Sequence, residues 1–380
     1  MYIPVNRLLC FCIIFVFCYS CAAQKQPGAD VRSLRFVGEF TLPHKMLFAG
    51  TTVGGLSGID YVPADDVYHL ICDDKSDINP ARFYTAKIRL SEKGIDTVEM
   101  LKVTTLLDAS GHTYPNKMDD PQRVPDPEAL RYNPLNKSLV WCSEGERIVR
   151  DNRLVLSDPS ITVMDSNGKY RDTFALAENM RMSRQEKGPR QNGVFEGLAY
   201  TNNYRTLFVS TEEPLYNDGH KAGVNDTAGW IRIIRYDVAT RKQVAQYAYR
   251  VDPVVQEPIS PGAFVVNGVS DILALNDRTL LVTERSYSTG RLTCNIRVYQ
   301  ANLAGATDIA NVYSLQKTPP PKPIRKKLLL NMDTLQRWTD NVEGATFGPL
   351  LPNGKRSLIF VADDNFSKLG RNQFLLFEVE

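Results

Sequence analysis

Hydrophobic residues in this chain come in short runs, each closed by Gly, Asn, Asp or Pro, and no stretch of useful length keeps a helical period. Between residues 197 and 251 four such runs follow one another, at 197–200, 206–210, 230–237 and 243–251. The same quartet fills 58–62, 67–72, 82–90 and 97–106, and again 129–132, 138–142, 154–165 and 170–177, where Asp158-Pro159 interrupts the third run. A fourth quartet occupies 272–275, 279–283, 294–303 and 326–331. Each quartet opens on one phrase: a carboxylate or serine, a small residue, then a strand. The phrases begin at Ser57, Glu128, Glu196, Asp271 and Glu343, at intervals of 71, 68, 75 and 72. Four short strands per repeat at this period predict an all-β fold, a β-propeller with one blade per repeat. Five blades are expected, with six as the alternative if a long loop hides a degenerate blade.

The fifth quartet runs out of chain. After 345–347, 357–362 and 373–379 it lacks a strand. The run 34–42 precedes the first repeat and matches none of its four, so it is expected to complete the last blade. Such a seam closes the ring without a free sheet edge.

The N-terminus reads differently. Arg7 is followed by a nearly unbroken apolar run to Tyr19 and then by Ser20-Cys21-Ala22-Ala23. That order predicts an export signal, too short for a membrane span. Residues 1–20 are expected to be the signal, 21–32 a tether and 33–380 one propeller domain. A cysteine at the junction is similar to a bacterial lipoprotein signal, which would make Cys21 the lipidated first residue of an envelope-anchored protein. Contact with the membrane is then expected through that anchor alone. The remaining cysteines, Cys72, Cys142 and Cys294, have no metal-ligand spacing and are expected to be small buried hydrophobes, although export permits one disulfide. Hydrophobic content of 43%, charged content of 23% and a net charge of +2 describe an ordinary globular domain and give no reason to expect nucleic acid. A monomer is expected.

Chemistry enters through the acids. In a blade, the start of strand one and the end of strand two lie on the same face. Ser57 is followed sixteen residues later by Asp73, Glu128 by Glu144 and Glu196 by Glu212, while Glu343 reaches Asp363 after twenty and Asp271 reaches Glu284 after thirteen. Several of these acids are doubled, by Asp74, Glu213 and Asp364. Like charges converging on one funnel repel, so protons, bases or a metal must neutralise them. Many hard oxygen ligands suit Ca²⁺, with Mg²⁺ or Mn²⁺ as alternatives; the four scattered histidines do not suggest zinc. The plainer alternative is that such acids only accept backbone N–H groups and pin blade to blade.

The loops on the same face carry bases. Arg181, Arg184, Lys187 and Arg190 lie in the segment before the third repeat, and Lys75, Arg82, Arg147, His220, Lys221, Arg285, Arg291, Lys368 and Arg371 follow strand two. Metal-binding acids ringed by guanidiniums suit a phosphate ester, although surface ion pairing explains any one base as well. No P-loop, dinucleotide glycine fingerprint, G-x-S-x-G elbow or H-E-x-x-H is present.

The phrases 54–60 (GGLSGID), 126–130 (DPEAL), 195–199 (FEGLA) and 341–346 (NVEGAT) together resemble the phytase-like family of exported bacterial proteins, described as having esterase-like activity of phytase. The resemblance covers about residues 36–380 and implies a propeller whose Glu and Asp residues form the active site for phosphate esters. The motifs of calcium-dependent phytases are not found residue by residue. The expected site has Glu128, Glu196, Glu343, Asp363, Asp73 and Asp271 on the metal, and Glu144, Glu212, Glu284, Arg147 and Arg285 in catalysis. Arg184, Arg190, Lys75, Arg371 and Tyr287 are expected around the substrate. Two alternatives stay open. One is glycoside hydrolysis, for which Tyr114, Tyr216 and Tyr287 are candidate sugar platforms; the other is a binding or scaffold protein whose acids are structural.

Overall fold

The computed structural model describes residues 31–227 and 229–380. The expected signal, the tether and Cys21 lie outside them, apart from the tether's last two residues. Five four-stranded antiparallel sheets stand in a ring. Blade 1 runs Leu56–Val62, Val67–Cys72, Arg82–Ser91 and Gly94–Thr105; blade 2 runs Pro127–Asn133, Ser138–Ser143, Ser160–Asp165 and Tyr170–Thr173. Blade 3 runs Phe195–Thr201, Thr206–Thr211, Trp230–Asp237 and Lys242–Arg250; blade 4 runs Val265–Asn276, Thr279–Ser288, Asn295–Asn302 and Arg325–Asn331. Blade 5 is built from Asn341–Leu350, Arg356–Asp363 and Gln373–Val379, and Leu34–Thr41 supplies its outer strand. The protein is a five-bladed β-propeller, and among the described residues the only helical elements are three 3-10 turns.

Burial explains why the runs read as they do. Strand two of each blade is sandwiched between neighbouring blades, so Val67–Cys72 and Thr206–Thr211 are buried at every position after the first. The outer strands have one wet face, and Gly94–Thr105 and Lys242–Arg250 alternate between buried and exposed stretches. Each large apolar side chain buried between blades, such as Phe208 or Phe360, contributes about 1.5–3 kcal/mol.

The seam forms as expected. Leu34 pairs with Val379 and Thr41 with Gln373, with one bulge between Phe36 and Gly38. Phe36 meets Phe377 edge-on at 5.5 Å, and Arg35 donates to Glu378. One expected strand proves to be two elements. Of residues 154–165, only Ser160–Asp165 belongs to blade 2, because Pro159 cannot donate to a ladder. The preceding Arg153–Ser157 pairs with Glu146–Arg150 as a separate hairpin on the funnel face. The cysteines Cys72, Cys142 and Cys294 are free and buried.

The centre of the ring is closed by an ion pair. The five strands one approach closely because the residue at one level is small in four blades: Gly58, Ala129, Gly197 and Gly344. A Cβ on Gly344 would stand 2.8 Å from Gly58 Cα, and one on Gly197 would stand 2.7 Å from Ile272 N. In blade 4 that level holds Asp271, whose carboxylate accepts two hydrogen bonds from Arg131, at 2.9 and 2.8 Å. Arg131 also donates to the carbonyls of Ile59 and Leu198, each at 2.7 Å, and Asp271 accepts from Ala345 N at 2.8 Å. Two side chains thus tie all five blades together.

Candidate functional site: a funnel of buried carboxylates

Above this plug, each strand one carries a bulge, which makes it one residue longer there than its partner strand. The breaks in register fall between Leu56 and Gly58, Pro127 and Leu130, Phe195 and Gly197, Val269 and Asp271, and Val342 and Gly344. The bulged ring position is therefore Ser57, Glu128, Glu196, Ser270 and Glu343. In blade 4 it is Ser270, not Asp271. Hydrogen bonding repeats the equivalence: Ser57 donates to the carbonyl of Pro127, just before Glu128, and Ser270 to that of Val342, just before Glu343.

The same register places the ends of strand two. Cys72, Ser143, Thr211 and Ala362 pair beside the bulge, so Asp73, Glu144, Glu212 and Asp363 come next. In blade 4 Val269 pairs with Glu284, and the next residue is Arg285. A base therefore stands where the other four blades have an acid. It is the one cation among the ten ring positions.

Seven carboxylates converge here: Asp73, Glu128, Glu144, Glu196, Glu212, Glu343 and Asp363. All but Asp73 are buried, and one Asp73 oxygen is also fully enclosed. Asp126, two residues before the second ring position, joins them. One oxygen each from Asp126, Glu128 and Glu144 lie within 4.8 Å of one another, and the same holds for Glu144, Glu196 and Glu212. Glu144 belongs to both groups. Its Oε1 accepts Gly193 N at 2.6 Å and Val194 N at 2.5 Å, which fixes the carboxylate between them.

Electrostatics follow from burial and crowding. Burial raises Glu128 and Glu196 well above the usual carboxylate range, and their acidic neighbours add to the rise. Burial, with Asp126 and Glu212 nearby, pushes Glu144 up to about 8, although the two N–H groups oppose the rise. Asp73 is pushed up to about 8 by burial and by Glu343. Glu343 reaches about 7, because Arg285 counters its burial. Two cations are set into this field. Arg285 bonds Glu212 at 2.8 Å and lies 3.6 Å from Glu343, and Lys75 bonds Asp126 at 2.5 Å.

The donor set fits a hard divalent cation. It is all oxygen, and the other Asp126 oxygen, Oδ1, is buried without a hydrogen-bond partner. No histidine joins either group: His69 packs against Phe83, and His44 lies 3.6 Å from Asp364. Zinc has no fitting site among these ligands.

With this geometry in place, likeness to known proteins gains meaning. A model of the phytase-like family, described as esterase-like activity of phytase, matches residues 51–366. The chain belongs to this family. A search among curated proteins finds no match. Among solved structures, the exo-β-1,3-galactanase of Phanerochaete chrysosporium with galactose is 10% identical, at a TM-score of 0.47, over 90% of this chain and 65% of that one. The periplasmic gluconolactonase of Pseudomonas aeruginosa is 11% identical, at a TM-score of 0.36, over 87% and 90%. These likenesses are too distant to carry chemistry.

Within this phytase-like chain, two of the expected acids fall outside the funnel. Asp271 is locked to Arg131 in the plug. Glu284 points away from the funnel and accepts from Tyr249 Oη at 2.7 Å, Lys326 Nζ at 2.6 Å and Asn267 Nδ2 at 3.0 Å. Both stand out in the sequence only because they are acidic, and the register displaces each by one residue. The signal was present: Ser270 repeats Ser57, and counting from it makes the fourth ring-to-end spacing fifteen. Asp126, in the phrase 126–130, is a further candidate ligand that the spacing of the ring acids does not point to.

The bases divide similarly. Lys75 and Arg285 reach the acids. Arg147 and Arg190 instead sandwich Tyr216, at 4.9 and 4.2 Å from its ring centre, and donate to the carbonyls of Ser183 and Pro214. Arg184 is exposed, with its carbonyl accepting from Arg147. Arg371 lies on the Trp338 ring. Asp74 binds Arg82 and three loop N–H groups, and Glu213 pairs with Lys221, so both hold loops. The tyrosines offer no open sugar platform: Tyr216 is covered, Tyr114 packs edge-on against Trp141, and Tyr287 packs on the core between blades 4 and 5.

Proposed function

We propose that this phytase-like propeller is a metal-dependent phosphoesterase acting on a small phosphorylated substrate, exported and anchored through Cys21. The supporting observation is the pair of carboxylate groups that share Glu144, with the only ring cation, Arg285, beside them. Asp126, Glu128, Glu144, Glu196 and Glu212 would hold Ca²⁺, or Mg²⁺ or Mn²⁺ in its place. Such a cation supplies polarisation of a phosphoryl oxygen and a lowered pKa for bound water. Arg285, whose Nε has no partner, receives a phosphate oxygen. Glu343, near 7 and next to that guanidinium, is placed to hand a proton to the departing oxygen. Lys75 opposes the rise that burial imposes on Asp126.

The test is hydrolysis of phosphate mono- and diesters by purified protein with each cation in turn. Activity that needs the cation and is lost in Glu196→Gln supports the proposal. No turnover with any of the three would end it.

A further inference from the structure

The loops that crown the funnel carry a second pattern, unrelated to the acids. Most large hydrophobic side chains that the described residues expose lie on this face, since loops into strand one and out of strand two emerge there. They stand in these loops and in the short hairpins they carry, and most are next to a base. Lys117 precedes Met118, Arg153 precedes Leu154, Arg291 precedes Leu292 and Lys368 precedes Leu369, while Lys45 stands two residues before Leu47. Met118 is 85% exposed, Leu47 and Leu369 75% and Leu292 70%. Four blades contribute: blade 1 through Leu47, blade 2 through Met118 and Leu154, blade 4 through Leu292 and blade 5 through Leu369. Exposed apolar side chains scattered singly are ordinary, but five basic–apolar pairs on one face are not scattered.

The charges decide what this rim fits. Arg153 and Lys368 enter no ion pair among the described residues, and the Arg291 guanidinium donates only to the carbonyl of Glu257. Lys117 pairs with Asp77 at 2.7 Å. Exposed leucines beside cations without acidic partners, at Leu154, Leu292 and Leu369, match a surface that is apolar below and anionic at its boundary. A protein partner would favour one contiguous patch instead; these tips are spread around the mouth.

We propose that the funnel face docks on an anionic lipid surface, with the loop-tip side chains entering the headgroup boundary and the neighbouring bases meeting lipid phosphates. The sequence alone suggested membrane contact only through a lipid anchor; this contact is separate from the anchor and from the hydrolase reading. It brings the acidic funnel to the layer where phosphate headgroups lie.

Residues 31–380 contain all twenty blade strands and the closed seam, so a chain starting at Val31 removes the anchor from the experiment. The measurement is co-sedimentation with vesicles of phosphatidylcholine, with and without phosphatidylglycerol. Binding is expected only to the anionic vesicles and should fall as salt rises. Leu292→Glu with Leu369→Glu should weaken it by about tenfold or more, and Arg153→Glu with Lys368→Glu severalfold, with melting temperatures unchanged. Glu196→Gln should bind vesicles like the wild type, which separates this surface from the site. Equal binding to neutral vesicles, no binding to either, or unaltered binding by both rim variants overturns the proposal. So does a concentration-dependent dimer that the rim variants break, without vesicle binding.

Discussion

Two clusters of buried charge lie along one channel and follow opposite rules. In the plug, Arg131 and Asp271 satisfy each other and reach backbone groups of all five blades. Even so, burial leaves Asp271 at about 6, with Arg131 opposing the rise. In the funnel, seven ring carboxylates and Asp126 face two cations, and buried oxygens of Asp73 and Asp126 have no partner. Nothing in the fold needs that imbalance, since Ser57 and Ser270 hold the same bulge with a hydroxyl. A charge that is fully answered holds the ring shut. A set left unanswered is where a ligand would complete the chemistry.

The sharpest way to break this contrast is in the plug. Arg131→Leu leaves Asp271 buried without its partner, and should cost about 3–5 kcal/mol, read as a lower urea midpoint. A loss under about 1 kcal/mol would mean that the pair is not what closes the ring. Glu284→Gln comes next, because this acid belongs with the paired cluster despite its resemblance to the funnel acids. It should destabilise the fold by about 1–3 kcal/mol and leave the response to cations intact. If it instead removed that response, the fourth blade's register would be misassigned.

A smaller effect appears with pH. Carboxyls in the unfolded chain ionise near 4, whereas Asp73 and Glu144 are pushed up to about 8 and Glu343 to about 7 in the fold. The folded state therefore holds more protons between these values, and cation-free protein should lose stability as pH rises from about 4 to about 8. Thermal melting across that range, with and without calcium, checks the sign: added calcium should help most at the alkaline end. Stability that rises with pH in cation-free protein would contradict the crowding. The smallest expected change is kinetic: Arg285→Gln, which also takes the cation from Glu212 and Glu343 and so lowers the melting temperature, should raise KM for a phosphate ester more than it lowers kcat.

These tests also bear on what the sequence makes legible. The period and the seam are readable because the inner strands are buried on both faces and the outer strand of blade 5 has no other quartet to join. The ring acids of blades 2, 3 and 5 are readable because Glu128, Glu196 and Glu343 each precede a small residue that lets the strands one approach. Blade 4 is misread by residue type, because its ring position holds Ser270 and the acid, Asp271, sits one residue later, at the level that is small in the other four blades. Arg131 is unreadable for a different reason: its partners come from three other blades, and no local pattern announces a contact across the ring. Lys75 and Arg147 look alike in sequence, and only the loop geometry sends one to Asp126 and the other to Tyr216.

One titration tests the central claim. Calcium is added to cation-free wild type, Glu144→Gln and Glu284→Gln, and binding is followed by calorimetry together with the rise in melting temperature. Glu144 is shared by both carboxylate groups, so its neutral variant should lose the heat of binding and the rise in melting temperature, while Glu284→Gln keeps both. Calcium binding that survives Glu144→Gln, or that is lost equally in the two variants, would contradict a cation site centred on the funnel.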